Sequence, residues 1–200
     1  LAEEACQIEI DIIKNNIGKQ DQYAAAFGGL NFIKFKKNNV TVKKIDKEKV
    51  IKKILKNSFL IWTGQFRKAS DILKKHSEKI KKNDQEQLQL LYLYAIAGNK
   101  LFNSKKFDYR KFHSLLKKNW NTKNKFNKLV SNSRIDKICK ILDKEKVYSY
   151  KLLGAGGGGF ILVFLDKFKI KIFKKKYKNL KTVNFCHTKS GSKTIFKDFY

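Results

Sequence analysis

The sequence predicts an α+β fold, with helices and strands in irregular succession and no regular βαβ repeat. Two observations point to it. Several stretches set apolar residues three and four apart, as Val50, Ile51, Ile54 and Leu55 do, which is the spacing of a one-sided helix. Between them stand short runs rich in β-branched and aromatic residues, such as SFLIW at 58–62 and FILVFL at 160–165. With 42% hydrophobic residues in 200, the chain can bury a core.

Each element follows from local pattern. Leu1, Ala5, Ile8 and Ile12 share one helical face, so the chain opens inside an amphipathic helix that reaches about Ile13. It has no methionine, and residues are expected before Leu1. After a loop, Ala24, Ala25 and Ala26 favour a helix that Gly28 and Gly29 end. LNFIKF and NVTVKKI are short strands around a KKNN turn. Helix is expected over 46–57, strand over 58–64, and helix over 66–82, over 85–98 (closed by Gly98), over 108–119 and over 135–142. The segment 167–180 alternates at first and is ambiguous between helix and strand, while KTVNFCHT and GSKTIFKDF read as strands. A weakly marked boundary falls near Asp46.

The formal charge of +29 raises nucleic acid and anionic membranes as partners. Yet of 46 basic residues only Arg67, Arg110 and Arg134 are arginine, the side chain that phosphate and base recognition favours. Lysine spread through every segment, beside abundant Asn, Ile, Phe and Tyr, reads as codon bias on solvated faces. Neither a nucleic-acid nor a membrane partner is expected, and oligomeric state is not legible. The longest apolar runs are about six residues, against the ~20 of a membrane helix. Cys6, Cys139 and Cys186 are odd in number and lack zinc spacing; Cys139 belongs to an apolar helical face. A reducing cytoplasm fits. His76 and His113 are expected at the surface.

Two stretches stand out. In KLLGAGGGGFILVFL, Gly154, Gly156 and Gly159 match G-x-G-x-x-G. That fingerprint needs a helix behind it and an acidic residue about 20 positions on. An apolar strand follows instead, and then lysine-rich chain. The glycines therefore turn strand into strand. Two glycines suffice for such a turn, so four in succession, with their entropic cost, imply that something approaches the backbone closely. In GKQDQYAAAFGG, Asp21 stands where a loop meets a helix. Asp is a common helix cap, and that is its simplest role.

Together these two stretches resemble the later motifs of the GHMP kinases. They are closest to the bacterial kinases that phosphorylate the anomeric hydroxyl of D-glycero-D-manno-heptose 7-phosphate for nucleotide-activated heptose and surface polysaccharide. LAEEACQIEID, FLIWTGQFRKASDIL and SNSRIDKIC resemble counterparts there, so the similarity covers nearly the whole chain. It implies a two-domain fold, with 1–48 the end of a truncated N-terminal domain (of the S5 domain 2-like type) and 49–200 a ferredoxin-like C-terminal domain.

The resemblance also implies roles. Asp21 matches the catalytic aspartate, and Lys19 lies where a cation could lower its pKa or hold a phosphate. Glu9 matches the acidic residue on the Mg²⁺ side, with Asp11 as the alternative. Thr63 and Arg67 match positions lining the sugar pocket. Gly156, Gly157 and Gly158 would face substrate, and Gly154 and Gly159 the nucleotide. ATP and Mg²⁺ are the implied cofactors and a sugar phosphate the implied acceptor. The superfamily's ATP phosphate loop is not in this sequence, so the chain by itself is expected to be inactive. Another GHMP sugar kinase of fucokinase type, or a basic RNA-binding module, are the alternatives.

Overall fold

The computed structural model describes residues 1–66, 85–126 and 130–195. The helix expected over 66–82, with Arg67 and His76, lies outside them apart from Phe66. The chain forms two compact units, one of Leu1–Asp46 with the segment from Cys186 onward, the other Lys47–Phe185. The break at Asp46 falls near the expected boundary. The C-terminal segment, however, joins the first unit instead of the second.

In the first unit, α1 (Ala2–Cys6) runs on as a π-helical segment, Gln7–Ile12, marked by the bond from Ile13 N–H to the Ile8 carbonyl at 2.9 Å. Helix α2 spans Gln20–Phe27. Strands β1 (Asn31–Lys36) and β2 (Asn39–Lys44) pair antiparallel across a two-residue turn, from Asn31 opposite Lys44 to Lys36 opposite Asn39. Ala2, Cys6 and Tyr23 are buried, with Ile33, Val40 and Val42 of the hairpin packed on them. Gly28 ends α2 at φ +59°, where glycine carries no steric penalty. Its N–H bonds the Ala24 carbonyl at 2.9 Å. The chain returns here: Gly29 N–H donates to the Thr188 carbonyl at 3.0 Å. A Cβ built on Gly191 would stand 1.9 Å from the Ala26 carbonyl oxygen, so only glycine fits. No strand forms over 191–195, contrary to the pattern of GSKTI: Gly191 packs on the end of α2, and the residues from Ser192 to Ile195 are exposed.

The second unit opens with α3 (Glu48–Lys56) and β3 (Ser58–Trp62), then α4 (Gln85–Asn103), α5 (Tyr109–Phe126), α6 (Ser133–Lys144), β4 (Ser149–Leu152), β5 (Phe160–Phe164), α7 (Lys167–Lys176) and β6 (Thr182–Val183). The sheet order is β4-β5-β3-β6, all antiparallel. With helices crossing between β3 and β4 and between β5 and β6, this is the βαββαβ ferredoxin-like arrangement. Register sets Phe59 opposite Val163, Ile61 opposite Ile161, and Leu152 opposite Ile161, so one face of the sheet is apolar. Ile135, Ile138 and Leu142 of α6, Trp120 of α5 and Phe173 of α7 close over it. Each such side chain contributes about 1.5–3 kcal/mol by leaving water.

Three expectations change. Helix α4 continues past Gly98, whose missing side chain faces open space and whose φ is not positive. A helix tolerates such a glycine at ~1 kcal/mol. Residues 167–176 resolve to helix because Asp166 caps them, accepting from Phe168 N–H at 2.9 Å, and Phe173 turns inward. Of KTVNFCHT only Thr182 and Val183 join the sheet. Among the described residues no helix is long and apolar enough to cross a membrane.

Candidate functional site

In the first unit, Asp21 lies in the first turn of α2, exposed. It is not the cap: Lys19 holds that position, and no side chain caps the helix. Among the described residues the Asp21 carboxylate has no hydrogen-bond or ion-pair partner. Lys19 does not serve it either. The Lys19 ammonium sits 2.9 Å from Glu3 Oε1, on α1. Glu3 Oε2 accepts the Tyr23 hydroxyl. These two bonds hold the Glu3 carboxyl below its usual range, Tyr23 before Lys19. In return Glu3 pushes the Tyr23 phenol up to about 12 and raises the Lys19 pKa. Glu3 therefore ties α1 to the start of α2 and fixes the turn that carries Asp21. Neither Glu3 nor Tyr23 was marked by the sequence; their 20-residue separation has no motif.

Glu9 sits half-buried on the π-helical segment. Among the described residues no three His, Cys, Asp or Glu side chains converge as a metal site would require. The donor set for a divalent cation is thus not built by these residues, and Glu9 stands as a single candidate.

In the second unit, the glycine run joins β4 to β5 and folds inward. Gly154, Gly156, Gly157 and Gly159 have φ of +77°, +120°, +71° and +91°, conformations that favour glycine. Gly156, Gly157 and Gly158 are buried. A Cβ on Gly156 would lie 2.8 Å from Val130 Cα, and one on Gly158 2.6 Å from the Gln65 carbonyl oxygen. What approaches these two glycines is the protein's own backbone. Beside Gly154 and Gly159, by contrast, a Cβ would meet nothing within 4 Å. Backbone bonds fix the loop: Gly157 N–H to the Val130 carbonyl at 2.8 Å, and Gly159 N–H to the Gln65 carbonyl at 2.9 Å.

Side chains complete the frame. Thr63 is 1% exposed, and its hydroxyl donates to the Gly159 carbonyl at 2.8 Å. It therefore supports the loop from beneath. Asn132 caps α6, its Oδ1 accepting from Arg134 and Ile135 N–H at 3.1 Å. Its Nδ2 donates to the Gly157 carbonyl at 3.0 Å and to Gln65 Oε1 at 3.2 Å. Lys123 donates to the Gly154 carbonyl at 2.7 Å. Burial and then Lys151 pull its ammonium down to about 8. The Arg134 guanidinium lies against Gly64, at φ +78°. Sequence reasoning missed Asn132, Lys123 and Gln65. An Asn just ahead of a helical pattern was the signal for the first; the others had none.

His113 is not a surface residue. It is half-buried, with Nδ1 2.8 Å from the buried Ser149 hydroxyl and rings of Phe112, Tyr148 and Phe164 around it. Burial, and then Lys117, push its pKa down to about 4.

Residues 101–180, from the end of α4 through the glycine loop and α7, match the profile "GHMP kinases C terminal". Over 97% of its length the chain is 31% identical to D-glycero-alpha-D-manno-heptose 7-phosphate kinase of Campylobacter jejuni, covering 58% of that protein. The chain carries a GHMP kinase C-terminal domain. Solved GHMP-type folds agree in architecture. A D-glycero-D-manno-heptose 1-phosphate kinase from Bacteroides thetaiotaomicron superposes with a TM-score of 0.64 at 22% identity, over 95% of this chain and 52% of that one. A Lactococcus lactis galactokinase superposes with a TM-score of 0.60 at 16% identity, over 94% of this chain and 58% of that one. The chain thus spans 52–58% of the length of these GHMP relatives. The GHMP C-terminal profile covers the glycine loop, Asn132 and Lys123, and so the whole frame described above lies in or against it.

Proposed function

We propose that this chain serves an ATP-dependent sugar kinase that phosphorylates the anomeric hydroxyl of a sugar phosphate, with D-glycero-D-manno-heptose 7-phosphate as acceptor and Mg²⁺ as the accompanying ion. The observation that carries it is the state of Asp21. Its carboxylate is exposed at the start of α2, takes no part in capping the helix and, among the described residues, has no ion-pair partner, Lys19 being held by Glu3. A carboxylate so placed is available to accept a proton. An anomeric hydroxyl is more acidic than an ordinary alcohol, and a positioned base contributes typically about 10²–10⁴-fold to such a step. Phosphoryl transfer depends on positioning more than on covalent help, and the Glu3–Tyr23–Lys19 contacts fix the turn from which Asp21 projects.

Other roles rank below this. Gly154 and Gly159 are the loop positions with open space beside them, so ligand contact is assigned there first. Gly156, Gly157 and Gly158, with Thr63, shape the loop. Arg67 keeps its proposed place beside the sugar by resemblance alone. Glu9 is proposed on the Mg²⁺ side, with no step routed through it.

The test is phosphoryl transfer by the full-length protein from ATP to a panel of free sugars and sugar phosphates. Heptose 7-phosphate should be the preferred acceptor. Transfer confined to unphosphorylated hexoses, or no transfer to any sugar, would overturn the proposal.

A further inference from the structure

A cavity of about 520 Å³ in the second unit is lined by Lys49, Lys52, Lys53, Lys56, Asn57, Asp166 and Lys167. Five of seven lining residues are lysine, against 46 basic residues in 200 for the chain as a whole. The local share exceeds the chain's average. It arises because Lys49, Lys52, Lys53 and Lys56 fall three and four apart on the outer face of α3, while Val50, Ile51, Ile54 and Leu55 turn inward. The acidic groups nearby are engaged: Glu48 pairs with Lys52 at 2.8 Å, and Asp166 caps α7.

Lys167, at one end of this basin, leads into an exposed apolar stretch of α7. The Lys167 ammonium lies 4.6 Å from the centre of the Phe168 ring. Phe168 is 73% exposed and Ile172, one turn along α7, is 66% exposed. Lys169, Lys171 and Lys175 are exposed beside them. Helix α7 thus buries Phe173 and offers a second, outward apolar pair flanked by cations. Such a pairing is costly to leave in water and matches an interface where acyl chains lie beneath anionic headgroups.

We infer that the α3–α7 face docks on an anionic lipid surface, with headgroup phosphates over the lysine basin and Phe168 and Ile172 entering the acyl boundary. Charge complementarity favours this partner, and the aliphatic Ile172 favours lipid over nucleic acid, since it offers no ring for a base to stack on. No spanning segment is needed, so the short apolar runs that set a membrane partner aside do not bear on it. Kinase activity is not assumed.

The experiment is cosedimentation of the full-length protein with vesicles of phosphatidylcholine, with and without phosphatidylglycerol. Binding should require phosphatidylglycerol and weaken with salt. Substituting Lys49, Lys52 and Lys56 by Gln should lower the partition coefficient at least ~10-fold, because each lysine near an anionic surface attracts measurably. The charge-matched change of Lys36, Lys37 and Lys43 to Gln, on the β1–β2 hairpin, should lower it less than ~2-fold by the same rule. Phe168→Ser with Ile172→Ser should lower vesicle binding at unchanged charge, and leave binding to a single-stranded oligonucleotide unaltered. Equal losses in the two lysine variants would assign the effect to bulk charge and overturn the docking face. So would vesicle binding indifferent to the Phe168 and Ile172 changes, or oligonucleotide binding that depends on them.

Discussion

Three alanines placed in the glycine loop separate conformation from packing. At Gly154 the backbone has φ +77° and open space beside it, so alanine meets conformational strain alone, about 1–2 kcal/mol. At Gly158 the backbone is ordinary, but a Cβ would lie 2.6 Å from the Gln65 carbonyl oxygen. That oxygen also accepts Gly159 N–H at 2.9 Å. Pushing it aside costs ~1–3 kcal/mol for overpacking and ~1 kcal/mol for a weakened bond. At Gly156 both apply: φ is +120°, and the obstacle is Val130 Cα at 2.8 Å, which cannot swing away as a side chain would. The expected loss is roughly 3–5 kcal/mol, a large share of the ~5–15 kcal/mol that holds an ordinary domain together. Urea unfolding at constant m reads the series directly. The expected order is Gly156→Ala worst, Gly158→Ala next, Gly154→Ala mildest. If Gly154→Ala proves as damaging as Gly156→Ala, packing against Val130 is not what the glycines serve. If none destabilises, the run is held for a ligand and not for the fold.

Other outcomes follow from the same geometry. Asp21→Asn in the full-length protein should reduce turnover at least ~10²-fold with sugar affinity largely kept; normal turnover would leave the residue without a catalytic part. Asn132→Ala removes the α6 cap and the tie to Gly157 together, and should cost ~2–3 kcal/mol in thermal or urea unfolding; a loss below about 0.5 kcal/mol, the low end for a cap alone, would refute that dual role. His113 is held neutral in the fold, at about 4 against 6.5 unfolded. Its contribution is therefore complete above pH 6.5 and is lost as pH falls toward 4. Discounted for its partial exposure, this amounts to ~1–2 kcal/mol. The unfolding midpoint should fall over that window in the parent and stay flatter in His113→Phe; identical pH profiles would sink the assignment.

The helices α2, α3 and α6 and strands β1, β2, β3 and β5 were legible because their patterns are local: Val50, Ile51, Ile54 and Leu55 read as one face whatever lies beyond. The residues that shape the candidate sites were mostly not. Asp21 could be found through resemblance, yet its freedom depends on Glu3 drawing Lys19 away, a contact sixteen residues apart that no spacing announces. The glycine run was visible as an anomaly, and so was a close approach to its backbone; that Val130 and Gln65 make it was not, because they reach it only through the tertiary fold. Gly98 misled in the opposite way: a glycine with open space around it has no power to stop a helix that packing sustains. His113 looked exposed amid lysines since its neighbour Ser149 is 36 residues away.

The return of the C-terminal segment to the end of α2 has a consequence for the order of events during synthesis. Gly28 and Gly29 emerge about 160 residues before Thr188 and Gly191, which close over them. At a synthesis rate of roughly 5–20 residues per second, that gap lasts on the order of ten to thirty seconds. Throughout it the ferredoxin-like unit can complete its sheet, while the first unit waits with the end of α2 uncovered. The latter is a clasp whose second half follows the whole of the larger sheet, so it is there, and not in that sheet, that a nascent chain stays open to proteases and holdases longer.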